Sequence, residues 1–116
     1  MIKGIGIDLV EISRIRELAG RQPKFAGRIL TPYEMEHYQS LPEKRKTEYL
    51  AGRFAAKEAY AKAAGTGLGG ELSFLDIEIR KDSKGKPYIE KPSKYGVHLS
   101  ITHSREYAAA QVVIEE

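Results

Sequence analysis

The stretch Glu43–Ala64, EKRKTEYLAGRFAAKEAYAKAA, closed by Gly65-Thr-Gly-Leu-Gly-Gly70, decides the fold class. It follows Pro42, is rich in alanine and reads as one long helix. The glycines end it, and the pattern beyond changes from helical to strand-like. Phe74 to Ile79 reads as a strand, Lys81 to Gly85 as a turn, and Lys86 to Ile89 as a returning partner. Val97, Leu99 and Ile101 alternate with His98, Ser100 and Thr102, and after a turn at His103 to Glu106 a last strand runs from Ala108 to Ile114. Its apolar residues lie on both faces, so both sides are expected to be covered, the second by another subunit. Ahead of the long helix, residues 2–10 alternate with period two: Ile5, Ile7 and Leu9 on one face, Gly4, Gly6 and Asp8 on the other. Ile12, Ile15 and Leu18 recur at helical spacing until Gly20 and Pro23, and Thr31-Pro-Tyr-Glu34 is a helix start with a capping box. The class is α+β, with one long helix packed on a mainly antiparallel sheet.

The chain has 116 residues and no cysteine, which bounds it to a single domain without disulfides or thiolate metal sites. It carries no apolar run of membrane-spanning length and no signal-peptide layout, so a cytoplasmic protein is expected. The net charge is only +3, but between Ile12 and Leu30 five cations (Arg14, Arg16, Arg21, Lys24 and Arg28) face Glu17 alone. That segment holds the basic excess, as an acidic partner would require; a solvated helix face would look the same.

On a helical wheel Glu58 and Lys62 fall inside the stripe of apolar and small residues, whereas Arg53 and Lys57 fall toward the polar side. An ordinary glutamate–lysine pair four apart would sit on the solvent face instead. Asp8 is anomalous too, an aspartate in a strand beside two glycines, on a face that another backbone or a ligand can approach closely. It also fits a helix cap, since Asp8-Leu-Val-Glu11 has capping-box spacing. Two carboxylates from separate elements plus a lysine suggest a Mg²⁺ site, or a Mn²⁺ site, with the lysine near a phosphate. Gly65, Gly67 and Gly70 match G-x-G-x-x-G, but after a helix and before a strand, the reverse of a dinucleotide-binding turn.

Gly4-Ile-Gly-Ile-Asp-Leu-Val-Glu-Ile12, Arg53-Phe-Ala-Ala-Lys-Glu-Ala-Tyr-Ala-Lys62 and Val97-His-Leu-Ser-Ile-Thr-His103 together resemble the holo-acyl-carrier-protein synthase family, the short 4′-phosphopantetheinyl transferases. The resemblance runs over essentially the whole chain and implies one such domain over residues 1–116. It implies transfer of phosphopantetheine from coenzyme A to a serine of acyl carrier protein, for fatty acid biosynthesis, with release of adenosine 3′,5′-bisphosphate. Asp8 and Glu58 match the family's Mg²⁺ ligands, and Lys62 the lysine at the leaving phosphate. The acceptor of the serine proton stays open between Glu58 and a water at the metal. Arg53 and His103 match coenzyme-contacting positions, and Gly65, Lys81, Gly85, Lys86 and Pro87 are weaker matches. The resemblance further implies a homotrimer with sites at subunit interfaces. An acidic carrier protein would dock on Arg14, Arg21, Lys24 and Arg28, with apolar contact from Ile15, Leu18 and Phe25.

Two other classes stay open on residues alone. A small basic nucleic-acid-binding domain would use the Arg14–Arg28 segment and tyrosine platforms, but it leaves Glu58 unexplained. A Mg²⁺-dependent nuclease would keep the carboxylates and need no coenzyme A. The family resemblance favours neither, and neither nucleic acid nor membrane is expected as a partner.

Overall fold

The computed structural model describes all 116 residues. Strand β1 (Ile2–Glu11) leads into α1 (Ile12–Arg21), a short α2 (Phe25–Ile29), α3 (Pro32–Ser40) and the long α4 (Glu43–Ala64). A 3₁₀ turn (Phe74–Asp76) precedes the hairpin β2 (Glu78–Lys81) and β3 (Pro87–Lys91), and the chain closes with β4 (Val97–His103) and β5 (Tyr107–Glu115). The strands form a three-stranded sheet of order β1–β5–β4 and the separate β2–β3 hairpin, every pairing antiparallel. No helix is long and apolar enough to cross a membrane.

Helix α4 lies across β1 and β5 and is covered on its other sides by α1, α2 and α3. From Leu50 to Ala63 it is therefore buried nearly all round, and small side chains dominate because partners press from two sides. This corrects the wheel reading of Arg53 and Lys57: both are buried, and Lys57 has no exposed surface. Gly65 ends the helix as expected, in the left-handed conformation at φ 79°, its N–H donating to the carbonyls of Ala61 and Lys62.

Strand β1 alternates as read, but its glycine face is the one turned to the helix. A Cβ on Gly6 would stand 1.9 Å from the Ala59 carbonyl oxygen, and one on Gly4 1.9 Å from that of Ala63. Only bare backbone lets strand and helix approach so closely. Ile5, Ile7 and Leu9 consequently face outward, each about 60% exposed. Across the sheet the same face carries Val113, Gln111 and Ala109 of β5, so the second apolar side of β5 has no cover within this chain.

Two elements differ from the sequence reading. Residues 74–76 form a 3₁₀ turn instead of opening a strand, because Ser73 and Asp76 cap each other's backbone; the strand begins at Glu78. Helix α2 is additional to the sequence reading, since its five residues are too few to carry a periodic signal.

The capping box at Thr31 is formed, but Glu34 does more than cap. It is fully buried, accepts from the Thr31 and Ile79 N–H groups at 2.8 and 2.7 Å, and holds the Lys57 ammonium at 2.6 Å. Lys57 also donates to the carbonyls of Ile29 (2.6 Å) and Phe74 (3.1 Å). One buried lysine thus ties α4 to the end of α2, the start of α3 and the 3₁₀ turn.

Candidate active site

Two clusters of chemically capable side chains stand on α4. Arg53 and Lys62 are nine residues apart, which at 100° per residue puts them on opposite sides of the helix.

The first cluster forms where β1 crosses α4. Gly4 and Gly6 seat the strand on the helix, and Asp8, next on that face, arrives beside the last turns of α4. Lys62 Nζ donates to Asp8 Oδ1 at 3.2 Å and to the Ile7 carbonyl oxygen at 3.0 Å. Burial pushes the Glu58 carboxyl above its ordinary range, and the Asp8 charge pushes it further, against the opposing pull of Lys62. Asp8, Glu58 and Lys62 are therefore one electrostatic unit, as the sequence suggested. The capping role for Asp8 is excluded: it pairs with Ala110 inside β1, and α1 begins only after Glu11.

The carboxylate pair fits a hard divalent cation. Two anionic oxygen donors, with a single ammonium nearby, suit Mg²⁺, which is typically held by one or two carboxylates and completes its shell with phosphate oxygens and waters. No group of three or more His, Cys, Asp or Glu side chains gathers anywhere in the chain. The donor set is thus a carboxylate pair, and substrate oxygens and waters would have to complete the shell of an ion held there.

The second cluster surrounds Arg53. A cleft of about 170 Å³ is lined by Arg45, Glu48, Arg53, Lys81 and His103, and a neighbouring one of about 380 Å³ shares Arg53, Lys81, His37 and Tyr49. The Arg53 guanidinium lies over the Tyr49 ring at 4.2 Å, and its buried Nε has no hydrogen-bond partner. Burial, with Lys81 and Arg53 adding to it, lowers the proton affinity of His37. Cations crowded round an unsatisfied buried donor make this an anion-seeking site. The sequence brings Arg53, Lys81 and His103 forward but not Tyr49, His37 or Arg45; Tyr49 lies one turn before Arg53, and the other two carry no local signal.

Gly85 and Lys86 lie in the β2–β3 turn, where Asp82 Oδ1 accepts from the Lys84 and Lys86 N–H groups, both at 2.9 Å, and Pro87 opens β3. They line neither cleft. Gly65 borders the Lys62 end of α4.

Arg14, Arg21, Lys24 and Arg28 are all exposed on α1, α2 and the link between them. Arg21 pairs with Glu17 at 3.4 Å, and Arg28 donates to Gln22. The apolar part of that surface needs correction. Ile15 and Phe25 are 1% and 9% exposed and belong to the core, because α1 and α2 turn those side chains onto α4; only Leu18 is partly accessible.

The profile of the 4′-phosphopantetheinyl transferase superfamily matches residues 4–112. The holo-[acyl-carrier-protein] synthase of Bacillus subtilis is 65% identical over 99% of this chain and 97% of its own length. The crystal structure of a holo-(acyl-carrier-protein) synthase from Bacillus anthracis in complex with CoA (3′,5′-ADP) superposes with a TM-score of 0.91 at 54% identity, covering 98% of this chain and 96% of that one. The Helicobacter pylori enzyme in complex with coenzyme A gives a TM-score of 0.81 at 39% identity, over 96% and 99% of the two chains. With this fold, this carboxylate–lysine cluster and relatives of near-equal length, the chain belongs to the holo-acyl-carrier-protein synthase family of the 4′-phosphopantetheinyl transferase superfamily.

Proposed function

We propose that the chain transfers 4′-phosphopantetheine from coenzyme A to a serine of an acidic acyl carrier protein in a Mg²⁺-dependent reaction, releasing adenosine 3′,5′-bisphosphate. The holo-carrier so formed would serve fatty acid synthesis in the cytoplasm. The observation that carries this reading is the meeting of Asp8, Glu58 and Lys62 at the β1–α4 crossing.

The serine oxygen attacks the β-phosphorus of coenzyme A in line. A new P–O bond forms as the bond to the bisphosphate leaving group breaks, and the serine proton is given up. Asp8 and Glu58 would hold Mg²⁺, or Mn²⁺ in its place, and the bound ion would supply Lewis acidity toward the phosphate oxygens. Lys62, on the exposed side of the cluster, would neutralise charge on the leaving phosphate. Glu58, with its raised proton affinity, is the group of this chain suited to receive the serine proton. Arg53, Lys81 and His103 would bind the coenzyme's other phosphate, where the unpartnered Arg53 Nε finds an acceptor.

Because Arg53 and Lys62 face opposite sides of α4, a coenzyme that touches both must cross the helix or bridge two copies of the chain. The uncovered Ile5, Ile7 and Leu9 face supports a homotrimer in which neighbours complete each site. Carrier docking is assigned to Arg14, Arg21, Lys24 and Arg28 around Leu18.

Incubation with coenzyme A, Mg²⁺ and apo-carrier, followed by weighing the carrier, tests the reaction. A gain of one phosphopantetheine that a chelator abolishes is expected; no gain with several carriers would refute it. Mixing Arg53→Ala with Lys62→Ala protein tests the shared site, since only mixed oligomers would regain activity.

A further inference from the structure

The partner of Asp8 is itself a cation. Lys62 Nζ uses two of its three donors on Asp8 Oδ1 and the Ile7 carbonyl oxygen. Asp8 Oδ1 is one of the oxygens that the proposed site needs for a divalent ion. Charge balance makes the consequence definite. Asp8 and Glu58 together carry two negative charges when ionised, of which Lys62 cancels one. A divalent ion would cancel both and leave the ammonium in excess, next to a second cation that repels it.

The geometry lets the ammonium leave. The Lys62 side chain is 54% exposed and that of Asp8 15%, so the lysine reaches in from solvent over a flexible stem, and withdrawing it uncovers little apolar surface. Its backbone stays fixed: the Lys62 carbonyl accepts from the Gly65 N–H at 3.1 Å in the cap of α4. Only side-chain rotation is needed.

We propose that Lys62 is the resident counter-ion of Asp8 in the empty enzyme and competes with the divalent ion for it, so that ion binding releases the ammonium toward the incoming phosphate. This rests on the reading that Asp8 and Glu58 hold the ion. One lysine then serves two anions in turn, Asp8 before the ion arrives and the phosphate afterwards. By linkage, whatever draws Lys62 off Asp8 strengthens ion binding, and ion binding makes Lys62 available to phosphate. The ion and the coenzyme are therefore coupled even without direct contact.

Mn²⁺ titration of the substrate-free protein, read by electron paramagnetic resonance, tests this without any turnover. Wild type is compared with Lys62→Met, with Asp8→Asn and with Lys84→Met, which removes the same charge from the exposed β2–β3 turn. The expected result is roughly two- to fivefold tighter binding in Lys62→Met, the scale of a partly exposed ion pair. Lys84→Met should match wild type, and Asp8→Asn should lose the site. Unchanged or weaker binding in Lys62→Met, with the site still lost in Asp8→Asn, overturns the competition and leaves the metal site standing. Equal tightening in Lys84→Met overturns it too, because net charge would then explain the effect. No binding in either wild type or Lys62→Met, or binding indifferent to Asp8→Asn, removes the metal site and the competition together.

Discussion

Replacing Glu34 with alanine should cost this chain a large part of its stability, although Glu34 touches no proposed substrate. The carboxylate is buried with the Lys57 ammonium at 2.6 Å, and neither side chain has any exposed surface. Breaking a buried pair by removing one partner costs roughly 3–5 kcal/mol. The Thr31 and Ile79 N–H groups also lose their acceptor, each worth about 1–3 kcal/mol when left buried and unpaired. Against this, burial already pushes the Lys57 pKa down, so the stranded lysine can shed its proton and limit the damage. A net loss of about 4–6 kcal/mol follows, out of roughly 5–15 kcal/mol for a domain. Urea unfolding followed by circular dichroism measures it, at matched protein concentration because self-association would add to stability. The double variant Glu34→Ala with Lys57→Met should be no less stable than Glu34→Ala alone, since the stranded ammonium is gone. A single-variant loss below about 2 kcal/mol, or losses that simply add, would refute the account of this network.

Gly6→Ala should destabilise by about 3 kcal/mol or more, because its methyl would meet the Ala59 carbonyl oxygen at 1.9 Å; Gly27→Ala, with open space around it, should be neutral or stabilising in the same unfolding assay. Burial raises the Glu78 carboxyl, but hydrogen bonds from Thr31 and Arg80 outweigh it and hold the group below its ordinary 4.5. A carboxyl lowered in the folded state gives stability that is complete above about pH 4.5 and lost as pH falls, so Glu78→Gln should lose less stability on acidification than wild type. Reversing Arg14 and Arg21 to glutamate should raise KM for the carrier protein several-fold with little change in that for coenzyme A, and steady-state kinetics with each substrate varied would show an unchanged carrier KM if the docking surface lies elsewhere.

The parts of the molecule that were legible from sequence are those with a local signal. Period two gave β1, the Thr31–Glu34 box gave the start of α3, and Gly65 gave the end of α4. What covers each face was less legible. The glycine side of β1 offers no hydrophobicity to count, yet it is the side that packs, while the isoleucine side is left outward. Arg53 and Lys57 look polar-facing on a wheel that assumes solvent there, but α1, α2 and α3 cover that side, and it is Lys62, read inside the apolar stripe, that reaches solvent. Ile15 and Phe25 lie beside exposed cations in sequence but point inward, which only the packing of α1 and α2 on α4 decides. The Glu34–Lys57 pair joins residues 23 apart through tertiary structure, and its one trace is a lysine set among alanines. Within the candidate site, Asp8 and Glu58 each break a local rule, whereas Lys62, which the wheel puts inside the apolar stripe, is half-exposed and is legible only through its spacing from Glu58. Tyr49 and His37 break none.

Glu58 is tested most directly in the transfer itself. Weighing apo-carrier after incubation with coenzyme A and saturating Mg²⁺ should show complete conversion with wild type and none in the same time with Glu58→Gln. The variant should keep its fold and its ability to bind coenzyme A. Conversion by Glu58→Gln at the wild-type rate would contradict the assignment of the site.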